Sequence, residues 1–156
     1  MPLAACAGRG RVGADGLPVQ TVYEITPEVA QQIPFRMLDG VNALRTAAGL
    51  PGLTLDARLN AAAETHSIDM ARQNRPWHFG SDGSSPIDRL SRVGFTGQLV
   101  GETIAESYET ELQTLAAWME LAETRDVIMS PGARQMGLAW YQEPAGKIWW
   151  TMVLAA

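Results

Sequence analysis

The chain has 156 residues, the size of one domain, and its 46% apolar content is enough to build a core, which excludes global disorder. The formal net charge is −5 and the arginines are scattered, so the sequence lacks the clustered positive charge that nucleic-acid phosphates require, and no nucleic-acid partner is expected. No apolar run reaches the length of a membrane-spanning helix, and there is no internal repeat or low-complexity tract.

Cys6 is the single cysteine, so no internal disulfide can form. Leu3-Ala4-Ala5-Cys6 has the pattern of a bacterial lipobox, in which small residues precede a cysteine that becomes lipid-modified. Acyl chains on Cys6 would hold the domain at a membrane surface without a spanning helix. The alternative is a chance match, because small-residue strings are common and the basic and apolar regions of a signal peptide are absent. Residues 7–25, rich in Gly and with little periodicity, then read as a tether. The expected division is 1–25 for the lipobox-like N-terminus and tether, and 26–156 for the folded domain.

Thr26-Pro27-Glu28 has a capping hydroxyl, a first-turn proline and an acid near the positive helix end. Pro34 is expected to interrupt or kink that segment. A stronger helix follows over Phe35–Ala48, with Met37, Val41, Leu44 and Ala48 at helical spacing and Gly49 and Pro51 as the stop. Asp56 caps a helix over Ala57–Gln73 whose apolar face runs Leu59, Ala62, Ala63, His66, Met70. Residues 74–84 form a loop with an Asp82-Gly83 turn, and Ser85-Pro86 starts a short helix that Gly94 ends. Gln98–Ser107 is short and partly β-like. Glu109–Leu121 returns to helical spacing, with Leu112, Leu115, Ala116 and Met119 on one side. Two strands, Gln135–Gln142 and Lys147–Leu154, joined by Glu143-Pro144-Ala145-Gly146, read as an antiparallel hairpin. On that strand Trp149 and Trp150 point to opposite faces, one into the core and the other exposed or against a helical layer. Helices flanking a small sheet predict a layered α+β domain.

In order, these pieces resemble a bacterial domain of the CAP superfamily (cysteine-rich secretory, antigen 5 and pathogenesis-related proteins, or sperm-coating-protein-like). The similarity runs through Leu38-Asp39-Gly40-Val41-Asn42-Ala43-Leu44-Arg45, Leu53 to Leu59, His66-Ser67-Ile68-Asp69-Met70-Ala71, His78 with Ser81 to Pro86 and Asp88-Arg89-Leu90, Gly101-Glu102-Thr103-Ile104-Ala105, Trp118-Met119 and the final hairpin with Gly137. It covers roughly residues 35 to 155. The resemblance implies a three-layer α-β-α sandwich with a small, mainly antiparallel sheet and a central cleft, and an extracytoplasmic location: lipid-anchored in the cell envelope or periplasm, or secreted.

The cleft expected from the resemblance holds His66, His78, Glu102 and Thr124. In the family, histidines and glutamates there bind zinc or another divalent ion in some members. His78 and Glu102 fall on two such positions. Thr124 stands where a histidine before Arg125 is expected, and a stable site wants three or four ligands. The metal site is therefore read as incomplete, no cofactor is firmly expected, and His78–Glu102 pairing without metal is favoured. The pair can also be read as a general base in a hydrolase, or as a structural hydrogen bond in a vestigial cleft. His66, on an apolar helix face, is expected to be structural with some share in lining the cleft. The Ser81 to Pro86 loop lacks both the acid spacing of a calcium loop and a nucleophile elbow. The function expected is a binding or envelope-associated module, not an enzyme, whose partner is a small amphiphile, a glycan or an envelope protein.

Overall fold

The structure is a computed structural model that describes residues 14–17 and 22–156. Cys6 and the lipobox reading lie outside the described residues. Apolar packing is already established at Tyr23 and Ile25, which lean against the core just before the first helix.

Alternation along the C-terminal hairpin sets the architecture. Strands β1 (Thr54–Leu55), β2 (Leu99–Ser107), β3 (Gln135–Gln142) and β4 (Ile148–Ala155) form one sheet in the order β1-β3-β4-β2. β1 is parallel to β3, and the other pairings are antiparallel. Gly146, at φ +99°, supplies the left-handed turn residue between β3 and β4. Every residue of β4 is buried, as befits a central strand covered on both faces.

Trp150, Met152 and Leu154 face one helical layer, made of α1 (Pro27–Ala47), α4 (Glu111–Glu120) and α5 (Ala122–Ile128). Val153 and Ala155 face the other, made of α2 (Ala57–Gln73) and α3 (Pro86–Arg92). The result is the α-β-α sandwich expected from the sequence. Trp149 and Trp150 are both fully buried because each face of the strand meets cover. The α2 stripe is as expected, with Ser67 added: its hydroxyl lies 2.8 Å from that of Thr151 on β4. Gly137 makes this packing possible, since a Cβ there would overlap the backbone of Leu59.

Three local expectations are corrected. Pro34 does not interrupt the first helix, which runs unbroken over 21 residues. Ile33, Met37, Val41 and Arg45 form one buried stripe across the proline, so core packing on both sides outweighs the missing hydrogen bond. β2 is a full nine-residue strand because β4 offers it a complete ladder, with one register shift between Leu99 and Gly101. α5, which was not expected, follows α4, which fills the expected Glu109–Leu121 span with a Thr110–Gln113 capping box at its start and extended Leu121 at its end. The buried stripe of α4 is Glu111, Thr114, Leu115 and Trp118, rotated from the expected one, and Leu112 is 47% exposed. Two polar contacts fix that rotation: Trp118 donates to the Ile104 carbonyl at 3.0 Å, and Glu111 meets Arg36 at 2.7 Å. The two-residue strand β1 carries too little pattern to be read from sequence.

Arg45 locks the end of α1 to the rest of its layer. Its fully buried guanidinium donates to the carbonyls of Pro51, Ile128, Ser130 and Ala133 at 2.9 to 3.3 Å. Among the described residues it has no acidic partner, so carbonyl dipoles alone meet its charge. Arg45→Met is expected to strand these acceptors and destabilise the fold by about 2–4 kcal/mol, with Arg45→Lys recovering only part of the loss. Urea unfolding at constant m-value checks this, and an unchanged midpoint would refute it.

Candidate functional site

Glu102 sits on β2 opposite Val153, so its side chain points into the α2–α3 layer. There the carboxylate is 1% exposed and could not stay ionised without partners. Arg89 of α3 supplies the charge. One terminal nitrogen of its guanidinium reaches both carboxylate oxygens, at 2.9 and 2.7 Å. The same arginine donates to the carbonyls of His78 at 3.0 Å and Ser84 at 3.3 Å. α3 delivers Arg89 inward because Ser85 and Asp88 close a capping box at its start and leave Arg89 and Leu90 on the buried side. Sequence reasoning gave Arg89 only a role in the fold. The signal that could have found it is the demand of Glu102, an acid within a strand, for a buried cation.

His78 stands in the loop between α2 and α3, and its Nδ1 lies 2.9 Å from Glu102 Oε1. An ionised carboxylate only accepts, so Nδ1 carries the proton. Nε2 is then left with its lone pair on a ring that is 49% exposed. His66, fully buried on α2, lies 3.7 Å from the same carboxylate oxygen and instead donates from Nε2 to the Trp77 carbonyl at 2.7 Å. Burial, with help from the charge of Arg89, pushes its pKa down and outweighs the opposing pull of Glu102. His66 is thus a neutral packing residue that anchors the loop carrying His78.

The rest of the loop is pinned by its own polar groups. Asp69 accepts from both the backbone and the hydroxyl of Ser81, each at 2.6 Å. Asp82 accepts from the Ser84 backbone at 2.9 Å and from Arg92 at 2.7 Å. Trp77 donates to Gln73, packs edge-on against Phe79, and has Arg75 3.6 Å above its ring. These contacts hold the loop in place.

The structure brings His66, His78 and Glu102 together. Among the described residues no hydrogen bond joins Thr124 to them. Thr124 lies on α5, in the opposite helical layer, where its hydroxyl donates to the carbonyls of Trp118 and Leu121. Among the described residues no group of three or more His, Cys, Asp or Glu is placed to hold a metal ion. The donor set does not fit the zinc centre implied by the family likeness: the His78 nitrogen that faces Glu102 is Nδ1, which carries the proton, and the carboxylate is already taken by an arginine.

Two outcomes follow from the geometry. Arg89→Ala leaves a buried carboxylate unpaired and is expected to cost about 3–5 kcal/mol in denaturant unfolding, whereas a change within 1 kcal/mol would contradict the pairing. His66 has a folded-state pKa below its ordinary value of 6.5, so its contribution is complete above that pH and is lost as pH falls through it. Between pH 6.5 and 5.5 the wild type should lose up to about 1 kcal/mol that His66→Gln does not lose. Parallel slopes for the two proteins would rule this out.

Comparison with known proteins agrees with the architecture. The sequence model of the cysteine-rich secretory protein family, CAP, matches residues 38–154. The uncharacterized protein YkwD of Bacillus subtilis strain 168 is 29% identical over 114 residues, which is 73% of this chain and 44% of that protein. An extracellular protein containing an SCP domain from Bacillus anthracis superposes with a TM-score of 0.73 at 25% identity, over 86% of this chain and 45% of that one. An outer surface protein from Borrelia burgdorferi superposes with a TM-score of 0.74 at 14% identity, over 81% of this chain and 93% of that one. This chain therefore spans less than half the length of the two Bacillus proteins. With its three-layer fold and a family match over most of its length, the chain belongs to the cysteine-rich secretory protein (CAP) family.

Proposed function

We propose that this protein is a non-enzymatic binding module of the cell envelope, which recognises its partner at the His78 edge of the α2–α3 layer. The observation that carries the reading is the state of Glu102. Its oxygens are occupied by Arg89 and His78, and it is shut away from solvent, so it is not free to relay a proton. A hydrolase built on this pair would need that relay together with a nucleophile or activated water. What the site offers outward is the Nε2 lone pair of an oriented imidazole, beside the half-exposed ring of Phe79. A hydrogen-bond acceptor next to an aromatic ring suits the hydroxyls and apolar faces of a glycan or small amphiphile, or an envelope protein surface.

The extracytoplasmic part of the reading draws on the similar proteins, one described as extracellular and one as an outer surface protein. Lipid at Cys6 would supply the anchor at the membrane surface, as a lipoprotein; without it the domain would act in the periplasm or as a secreted protein.

The test uses purified cell-wall glycan and vesicles of bacterial phospholipid as probes. His78→Ala should weaken retention on one of them several-fold without unfolding the domain, while the wild type turns over neither. Turnover abolished by both His78→Ala and Glu102→Gln would replace this reading with the hydrolase. A calorimetric titration with zinc should show no submicromolar binding by the wild type; tight binding would overturn the account of the donor set.

A further inference from the structure

We propose that the outer edge of β3 is a docking site for an extended peptide segment bearing a basic side chain, which adds to the sheet where β1 stops. The site is independent of the His78 reading. His78 is paired with Glu102 on β2, at one edge of the sheet, and the side of β3 away from β4 lies toward the other edge.

Strand alternation decides which backbone groups are free. At the hairpin turn Glu143 donates to the Lys147 carbonyl, so the odd-numbered residues of β3 direct their polar groups toward β4. The even-numbered residues direct theirs outward. Met136 does so and is met by β1: its carbonyl accepts from Asp56 at 3.0 Å. β1 is only two residues long and runs out there. At the next rung the Asn60 side chain stands in for the missing strand, accepting the Leu138 N–H at 2.9 Å. Beyond it the Leu138 carbonyl and both the N–H and carbonyl of Trp140 point outward. Among the described residues these three groups have no hydrogen-bond partner.

The gap beside these groups has the form a strand needs. A cavity of about 320 Å³ runs along the edge, with Pro34 of α1 on one side, Asn60 and Glu64 of α2 on the other, and Leu138 to Trp140 as its floor. It lies between the two helical layers, in the plane of the sheet, and continues the line of the established β1–β3 pairing. Backbone pairing supplies affinity in such sites, and side-chain pockets supply selection. The selecting group here is Glu64, an exposed carboxylate with no ion pair among the described residues, on a chain of net charge −5. Charge complementarity assigns the occupant a lysine or arginine beside Glu64, and the half-buried Trp140 ring assigns an apolar neighbour.

The experiment titrates the full ¹⁵N-labelled chain with the peptide acetyl-Thr-Val-Lys-Val-Thr-amide and follows backbone resonances and amide exchange. Resonances of Asn60, Ala139 and Trp140 should shift, and exchange of the Trp140 amide should slow about tenfold at saturation. N-methylation of the peptide at alternate residues should weaken binding about tenfold in one phase only, as expected for loss of a ladder hydrogen bond. Glu64→Lys should lose the lysine peptide and gain its glutamate counterpart. Absence of shifts at Ala139 and Trp140, or equal binding of both N-methylated forms, would overturn the proposal. So would a Trp140 amide that is protected in the free chain and becomes fast on removal of residues 1–21, because the occupant would then be the chain itself.

Discussion

The buried charge of Glu102 is the constraint around which this end of the molecule is arranged. A carboxylate inside the α2–α3 layer must be neutralised or it would expel itself from the fold. Arg89 answers it, and in doing so ties three separate pieces of chain together: strand β2, helix α3 and the loop that carries His78. His66 completes the anchor from α2 by holding the Trp77 carbonyl, next to His78, and can do so only while neutral. The exposed imidazole is thus the one polar group of the cluster that faces outward, and its orientation depends on an ion pair it takes no charge from.

Strand alternation explains why the site contains what it contains. Glu102 and Thr103 are neighbours in sequence but face opposite helical layers. The layer behind Thr103 holds α5, and Thr124 is used there to bridge the break between α4 and α5. A fully buried Thr103 hydroxyl without a partner among the described residues marks the same face. Thr124, at the position where the family resemblance led to the expectation of a histidine, is engaged in hydrogen bonds to the backbone. Its hydroxyl makes it part of the junction between α4 and α5.

Much of the fold was legible before any coordinates. Hydroxyl and carboxylate caps at Thr26, Asp56 and Ser85 mark real helix starts, and the Gly146 turn marks a real hairpin, because these signals act within a few residues. Features set by tertiary contact were not. Pro34 sits inside a helix because a stripe from Ile33 to Arg45 holds both halves to the core. The α4 stripe is turned toward Trp118 and Glu111 by partners far away in sequence, Ile104 and Arg36. The same division holds at the site. The His78–Glu102 pairing was readable from family likeness, while Arg89 was not, since nothing local distinguishes an arginine that solvates from one that neutralises a buried acid.

The central claim is that Glu102, held by Arg89, fixes His78 with its proton on Nδ1 and its lone pair on Nε2. Long-range ¹H–¹⁵N correlation of the imidazole rings reports that tautomer directly. In its neutral form the His78 ring should carry the proton on Nδ1 and not on Nε2, and Glu102→Gln should weaken that preference. A neutral wild-type ring with its only proton on Nε2 would contradict the account, because Nδ1 could then not donate to the carboxylate.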